Sequence, residues 1–238
     1  MNIALRFSRL SAVLSLLIGM LVLPGCASHR PVTPAQIHKW ERARNVKRLS
    51  EVARQKTQRP AVRKLSLESL ARLNWKPTNE ERLEVYRLIA SPAALHEARG
   101  LLQTMSRGQL AQIDADVNAC ASLLTLSGGW VDAGRAHGLY DRLRSQGRKA
   151  VTMSLCQQVL ARPALRTRIL LLAIKLGLPG SERDLNAVLQ VYGDKPMAED
   201  YMNSGSKELE NGGRHWASTH GYLVSTGNGS HRSSWGSF

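Results

Sequence analysis

An all-α fold is predicted by three observations. Aromatic residues make up only 5% of the chain while Leu and Ala recur throughout, so few segments read as strands. Apolar residues return at three- and four-residue spacing across 33–220, the pattern of amphipathic helices. Finally, Pro60, Pro92, Pro163 and Pro196 each open an apolar-periodic run, where the missing N–H costs nothing. Their intervals are 32, 71 and 33 residues. The long interval divides into two units of about 35, with an unmarked start near Gly129-Trp130, and such a period indicates stacked helical units. The expected architecture is an α-solenoid of helical pairs with a short irregular or hairpin tail.

Each helix has its own local signals. Thr33-Pro34 starts a helix through Arg44 with Ile37 and Trp40 on one face. Asn45 caps a helix over 46–55, whose apolar stripe is Val46, Leu49, Val52 and Ala53. Thr78-Asn79-Glu80-Glu81 reads as a capping box, and Ser91-Pro92 as a cap followed by Pro at the first helical position. A long helix is expected over 109–126, ending at Gly128-Gly129, with the next over 130–145. Further helices are expected over 148–161, over 163–176 with Gly177 as stop, over 182–192 capped by Ser181, over 196–203 and over 207–219. From Gly221 the composition changes. Tyr222–Ser225 and the residues beyond Gly227-Asn228-Gly229 read either as a hairpin or as a Gly/Ser tail, with Trp235 and Phe238 folding back or serving as a docking peptide.

Two resemblances follow from particular residues. Pro60-Ala61-Val62-Arg63 runs on to Leu67, Leu70 and Leu73-Asn74. Pro163-Ala164-Leu165-Arg166 runs on to Leu170, Ala173 and Leu176-Gly177. This opening resembles the second helix of a HEAT repeat, with Pro92-Ala93-Ala94-Leu95 as a weaker copy. It covers about 45–205 and implies a helical-repeat scaffold. At the amino terminus, Arg6 and Arg9 precede an apolar run from Leu10 to Leu23, too short to span a bilayer, which takes about 20 residues. Leu23-Pro24-Gly25-Cys26 then resembles the lipobox of bacterial lipoproteins. The resemblance implies cleavage before Cys26, a thioether-linked diacylglycerol and an acylated amino terminus there. Ala27, where inner-membrane lipoproteins carry Asp, implies sorting to the outer membrane. The expected layout is a signal peptide over 1–25, a lipidated tether over 26–32, a helical domain over 33–220 and a tail over 221–238.

The net charge of +15 is uneven. Residues 38–76 hold 12 Lys or Arg against Glu41, Glu51 and Glu68. Beside a lipid anchor this segment suits an anionic surface, with Arg42, Arg44, Lys47, Arg48, Arg54, Arg59, Arg63 and Lys64 as candidate anion-binding residues. The alternative is a solvated helix face in an Arg-rich chain. Once Cys26 is lipidated, Cys120 and Cys156 remain. In an oxidising compartment they are a candidate disulfide, although both lie in apolar helical patterns where Cys serves as a small core residue.

No catalytic constellation, metal set or cofactor motif is found. Asp114-Ala115-Asp116-Val117-Asn118 begins like a calcium loop, but Ala119 and Thr125 stand where Gly and Glu are needed. His215 and His220 splay on a helix, and Gly212-Gly213 lacks the strand and the Lys-Ser/Thr of a phosphate loop. The function expected is therefore a non-enzymatic one. The mature chain would be lipid-anchored on the periplasmic face of the outer membrane, a scaffold or adaptor for a periplasmic or outer-membrane protein. The alternative is binding of an anionic polymer (lipopolysaccharide, peptidoglycan or DNA) through 38–76, with nucleic acid ranked below a protein partner.

Overall fold

The structure, a computed structural model, describes residues 31–55, 57–226 and 233–237, with side chains given as far as Val224. The expected signal peptide, Leu23, Gly25 and Cys26 lie outside the described residues, as do Lys56, 227–232 and Phe238. The chain divides into units at 1–31 and 32–238, and the second carries everything below. The fold is all-α, with twelve α-helices and a single-turn 3-10 helix (Pro163–Leu165) among the described residues. The helices are α1 (Pro34–Arg42), α2 (Val46–Arg54), α3 (Pro60–Arg72), α4 (Asn79–Arg87), α5 (Pro92–Thr104) and α6 (Arg107–Ser122). They continue with α7 (Ala133–Ser145), α8 (Arg148–Ala161), α9 (Arg166–Leu176), α10 (Ser181–Tyr192), α11 (Lys195–Met202) and α12 (Lys207–Thr219). No helix among the described residues is long and apolar enough to cross a membrane.

Capping explains most of the boundaries. Thr33 and Gln36 close a reciprocal box at α1, and Thr78 and Glu81 do so at α4. Asn45 accepts from the Arg48 N–H and Ser91 from the Ala94 N–H. Several boundaries differ from expectation: the first helix ends at Arg42 rather than Arg44, and the one expected from Pro163 opens as a 3-10 turn. A Ser106–Gln109 box starts α6 two residues early. The first orphan N–H groups of α10 follow Gly180 (φ +82°), not a Ser181 cap. Residues 123–131 are not helical: Leu124 bridges Trp130, Thr125 N–H donates to the Gly129 carbonyl and Val131 N–H to that of Leu123. Asp132 then caps α7. The expected helices over 109–126 and 130–145 thus stop short of this stretch, whose backbone groups pair across the turn instead.

The packing corrects the solenoid expectation. In a serial stack each unit touches only the units before and after it. Helix α8 instead meets α3, α4, α5, α6, α9 and α10. Every residue from Ala150 to Leu160 is buried, including Thr152, Ser154, Gln157 and Gln158. A helix buried on all sides is a core helix rather than one wall of a stack. The main core runs from Ile37 through α8 to Ala217, and a smaller cluster of Tyr86, Ala94, Ala98, Leu102, Leu110 and Met153 lies under α5.

Helices α10, α11 and α12 pack together at the carboxyl end. A Cβ at Gly213 would sit 2.7 Å from Met202 Cγ and 2.9 Å from the Ala198 carbonyl, so α12 crosses α11 at a distance that only glycine permits. Strands β1 (Tyr222–Thr226) and β2 (Ser233–Ser237) then form an antiparallel hairpin with Val224 opposite Trp235.

Candidate functional site

The eight candidate anion-binding residues separate into two groups. Arg42, Arg44, Lys47, Arg48, Arg54 and Arg59 are exposed, whereas Arg63 and Lys64 are buried in α3. Arg63 donates to the Ala53 carbonyl (3.1 Å) and the Tyr192 hydroxyl (3.1 Å), with its guanidinium over the Tyr192 ring. Lys64 pairs with Asp194 and lies 3.8 Å from Glu68. Burial, then the Arg166 guanidinium, pushes the Lys64 ammonium down to about 8, against the pull of Glu68 and Asp200. These two are internal ties and leave the anion-binding set.

The remaining cations gather where α1 turns into α2. Arg44 occupies the left-handed region (φ +51°), a place where Asn74 serves at the end of α3. A non-glycine residue there costs on the order of 1 kcal/mol. No ion pair or side-chain hydrogen bond engages Arg42, Arg44 or Lys47 among the described residues. The acids of the segment are occupied elsewhere: Glu51 pairs with Arg48 at 3.1 Å, and Glu41 takes Arg72 and Ser69. The corner therefore presents unneutralised positive charge.

Glu41 supplies a pH test. The hydrogen bond from Arg72 holds its carboxyl at about 2, aided by Ser69 and opposed by burial. The folded value lies below the unfolded one, so its stabilisation is full above about 4.5 and lost as pH falls through 2. Arg72 is half-exposed, and solvent screening limits the term to about 1 kcal/mol. Urea titrations at pH 7 and pH 3 should show Arg72→Gln costing stability at pH 7 and much less at pH 3.

A second feature has no anticipated counterpart. The loop after α3, the middle of α6 and the end of α8 enclose a cleft of about 180 Å³. Its polar floor holds Asn118 and Gln158, joined at 2.8 Å from Asn118 Nδ2 to Gln158 Oε1. Asn118 Oδ1 is buried without a partner. Gln157 is only 5% exposed, and its amide has no hydrogen-bond partner among the described residues. Leaving a buried acceptor such as Asn118 Oδ1 unpaired costs about 1–3 kcal/mol. Asp114 also lines the cleft, but its carboxylate is held by Arg82 and by Ser154 Oγ at 2.7 Å. At the rim stand Trp75, Lys76 and Arg162, whose side chains have no polar partner among the described residues. The available signal was Gln157-Gln158 inside the apolar run of α8, a polar pair on a helix with no solvent face.

Cys120 and Cys156 are free thiols, both buried, so the candidate disulfide is not formed. Burial pushes the Cys120 thiol up to about 11 and raises that of Cys156 further, which leaves neither as a nucleophile near neutrality. The Asp114–Asp116 run is helical. Asp116 pairs with Arg142 at 3.0 Å, and no trio of His, Cys, Asp or Glu among the described residues gathers as a metal site would. His220 stacks on Trp216 with ring centroids 3.9 Å apart. Buried Tyr86 and Asp184 are joined to half-buried Lys149: the Tyr86 hydroxyl donates to Asp184 at 2.5 Å, and burial together with that bond raises its pKa. It ties α4, α10 and α8 across the core. The chain matches no protein-family model, no curated protein and no solved structure.

Proposed function

We propose that this chain is a lipid-anchored adaptor of the bacterial periplasm, held to the outer membrane through Cys26 and binding a protein partner through its helical domain. The kinship of the Pro60 and Pro163 helices to HEAT repeats enters as local sequence likeness, since the packing around α8 departs from serial stacking. The observation that carries the reading is the 123–131 turn. Its backbone hydrogen bonds order the turn, yet Leu126 at its tip is 56% exposed and Val131 at its base 69% exposed. Large apolar side chains fixed on an ordered turn suit the apolar anchor of a protein interface.

The test is in-cell photocrosslinking of the full chain with a reactive residue at position 126, and at exposed Arg99 on the outer face of α5 as control. A discrete protein adduct at 126, lost with Val131→Asp, is the expected result; adducts at both positions or at neither would overturn the reading. Palmitate labelling that disappears in Cys26→Ala is expected for the anchor.

A second reading is favoured by the free cations of the α1–α2 corner: binding of an anionic polymer such as lipopolysaccharide, peptidoglycan or DNA. If Arg42, Arg44 and Lys47 each meet one anionic group, affinity for a polyanion should fall about 20- to 40-fold between 50 and 200 mM salt. Arg42→Glu with Lys47→Glu should remove most of that binding and leave the melting temperature unchanged. A flat salt dependence would exclude it.

A further inference from the structure

We infer that the cleft between α6, the end of α8 and the loop after α3 is a binding site for an acylated amino acid with a free carboxylate, such as the carboxyl terminus of a peptide. This goes beyond the adaptor reading and does not depend on it.

The chemistry of the lining selects the ligand. The Gln157 amide offers a donor and an acceptor, and Gln158 keeps its Nε2 donors while its Oε1 accepts from Asn118. Their complement is a group that also carries one of each in fixed geometry, which is a peptide unit. Gln157 is 5% exposed and lines the cleft, and its amide makes no protein hydrogen bond among the described residues while its polar atoms stay open to the cleft, so it is free to bond a ligand there. Beside the Asn74 amide, the rim carries three donor-only groups: the Lys76 ammonium, the Arg162 guanidinium and the Trp75 indole N–H. Their complement is an acceptor-only anion, and a guanidinium beside an ammonium suits a carboxylate.

Two features oppose an anion, and both are offset. The carboxyl end of α8 presents its carbonyls toward this region, but Arg162 N–H already caps the Gln158 carbonyl at 2.8 Å. The Asp114 carboxylate is neutralised by Arg82. Size is consistent too: about 180 Å³ is the share of roughly six water molecules, enough for one peptide unit and its carboxylate but not for a folded partner.

The experiment is calorimetric or NMR titration of the purified full chain in detergent. The probes are N-acetyl-L-alanyl-L-alanine, N-acetyl-D-alanyl-D-alanine and the carboxyl-terminal amide of each. At least one free acid should bind saturably with a Kd of about 1 mM or tighter, as a ligand of this size allows. Its amide should bind about tenfold more weakly. Preference for the L form points to a protein terminus and for the D form to a cell-wall stem peptide. Gln157→Leu should abolish binding while leaving the melting temperature nearly unchanged, because the amide makes no hydrogen bond within the protein. Lys76→Gln, at an exposed position, should weaken binding at least about fivefold with no change in fold. Absence of binding by both acids at 10-fold the expected Kd overturns the inference. So does equal binding of acid and amide, or undiminished binding by Gln157→Leu.

Discussion

Arg82→Ala should lower the unfolding free energy by about 3–5 kcal/mol, the range for leaving one member of a buried ion pair alone. Arg82 is 2% exposed on α4 and holds Asp114 on α6 through both terminal nitrogens. Asp114 in turn accepts from Ser154 on α8, so one guanidinium ties three helices at the core. Removing it strands a mostly buried carboxylate with a single hydroxyl partner. Desolvating both charges is itself expensive. A double variant, Arg82→Met with Asp114→Leu, should therefore recover most of the loss, since well-packed apolar residues often replace a buried pair at little cost. Urea unfolding followed by circular dichroism decides it. A loss under about 1 kcal/mol in the single variant would mean that the pair is solvated and that the cleft floor is looser than described.

Leu155→Ala should cost about 4 kcal/mol, near the upper end for a Leu truncation. Leu155 is fully buried in α8, and a helix gripped by six others cannot move to fill a void. The melting temperature should fall by about 8–16 °C for a chain of this size. The shape of the transition matters as much as its position. A serial array unfolds piecewise when one unit is weakened, whereas a domain built round α8 loses its core at once. One calorimetric transition, shifted as a whole, is expected. Two separated transitions, one of them at the original temperature, would restore the linear stack and displace α8 from the centre.

Much of the local structure was legible. Thr33, Asn45, Thr78 and Ser91 announced their helices because a cap bonds an N–H two or three residues away. Gly177 marked the end of α9 through its left-handed conformation. The errors at 123–131 and at Gly180 arose where two local solutions compete and the choice depends on what packs against them. Of the candidate site, the exposed corner of Arg42, Arg44 and Lys47 was visible as charge. The cleft was not, because its walls come from residues near 75, 118 and 157, which no spacing rule connects.

What the sequence by itself determined is the helical character, the placing of most caps and prolines, and the excess of positive charge before residue 77. Those depend on interactions spanning about four residues, or on none. The tertiary structure alone decided that α8 is wrapped on every side, that Arg63 and Lys64 face inward to Tyr192 and Asp194, and that Cys120 and Cys156 stay apart as thiols. Each of those outcomes depends on how distant segments pack. Its free energy appears only once the chain has closed on itself, and a helix pattern that fits a stack fits a wrapped core equally well.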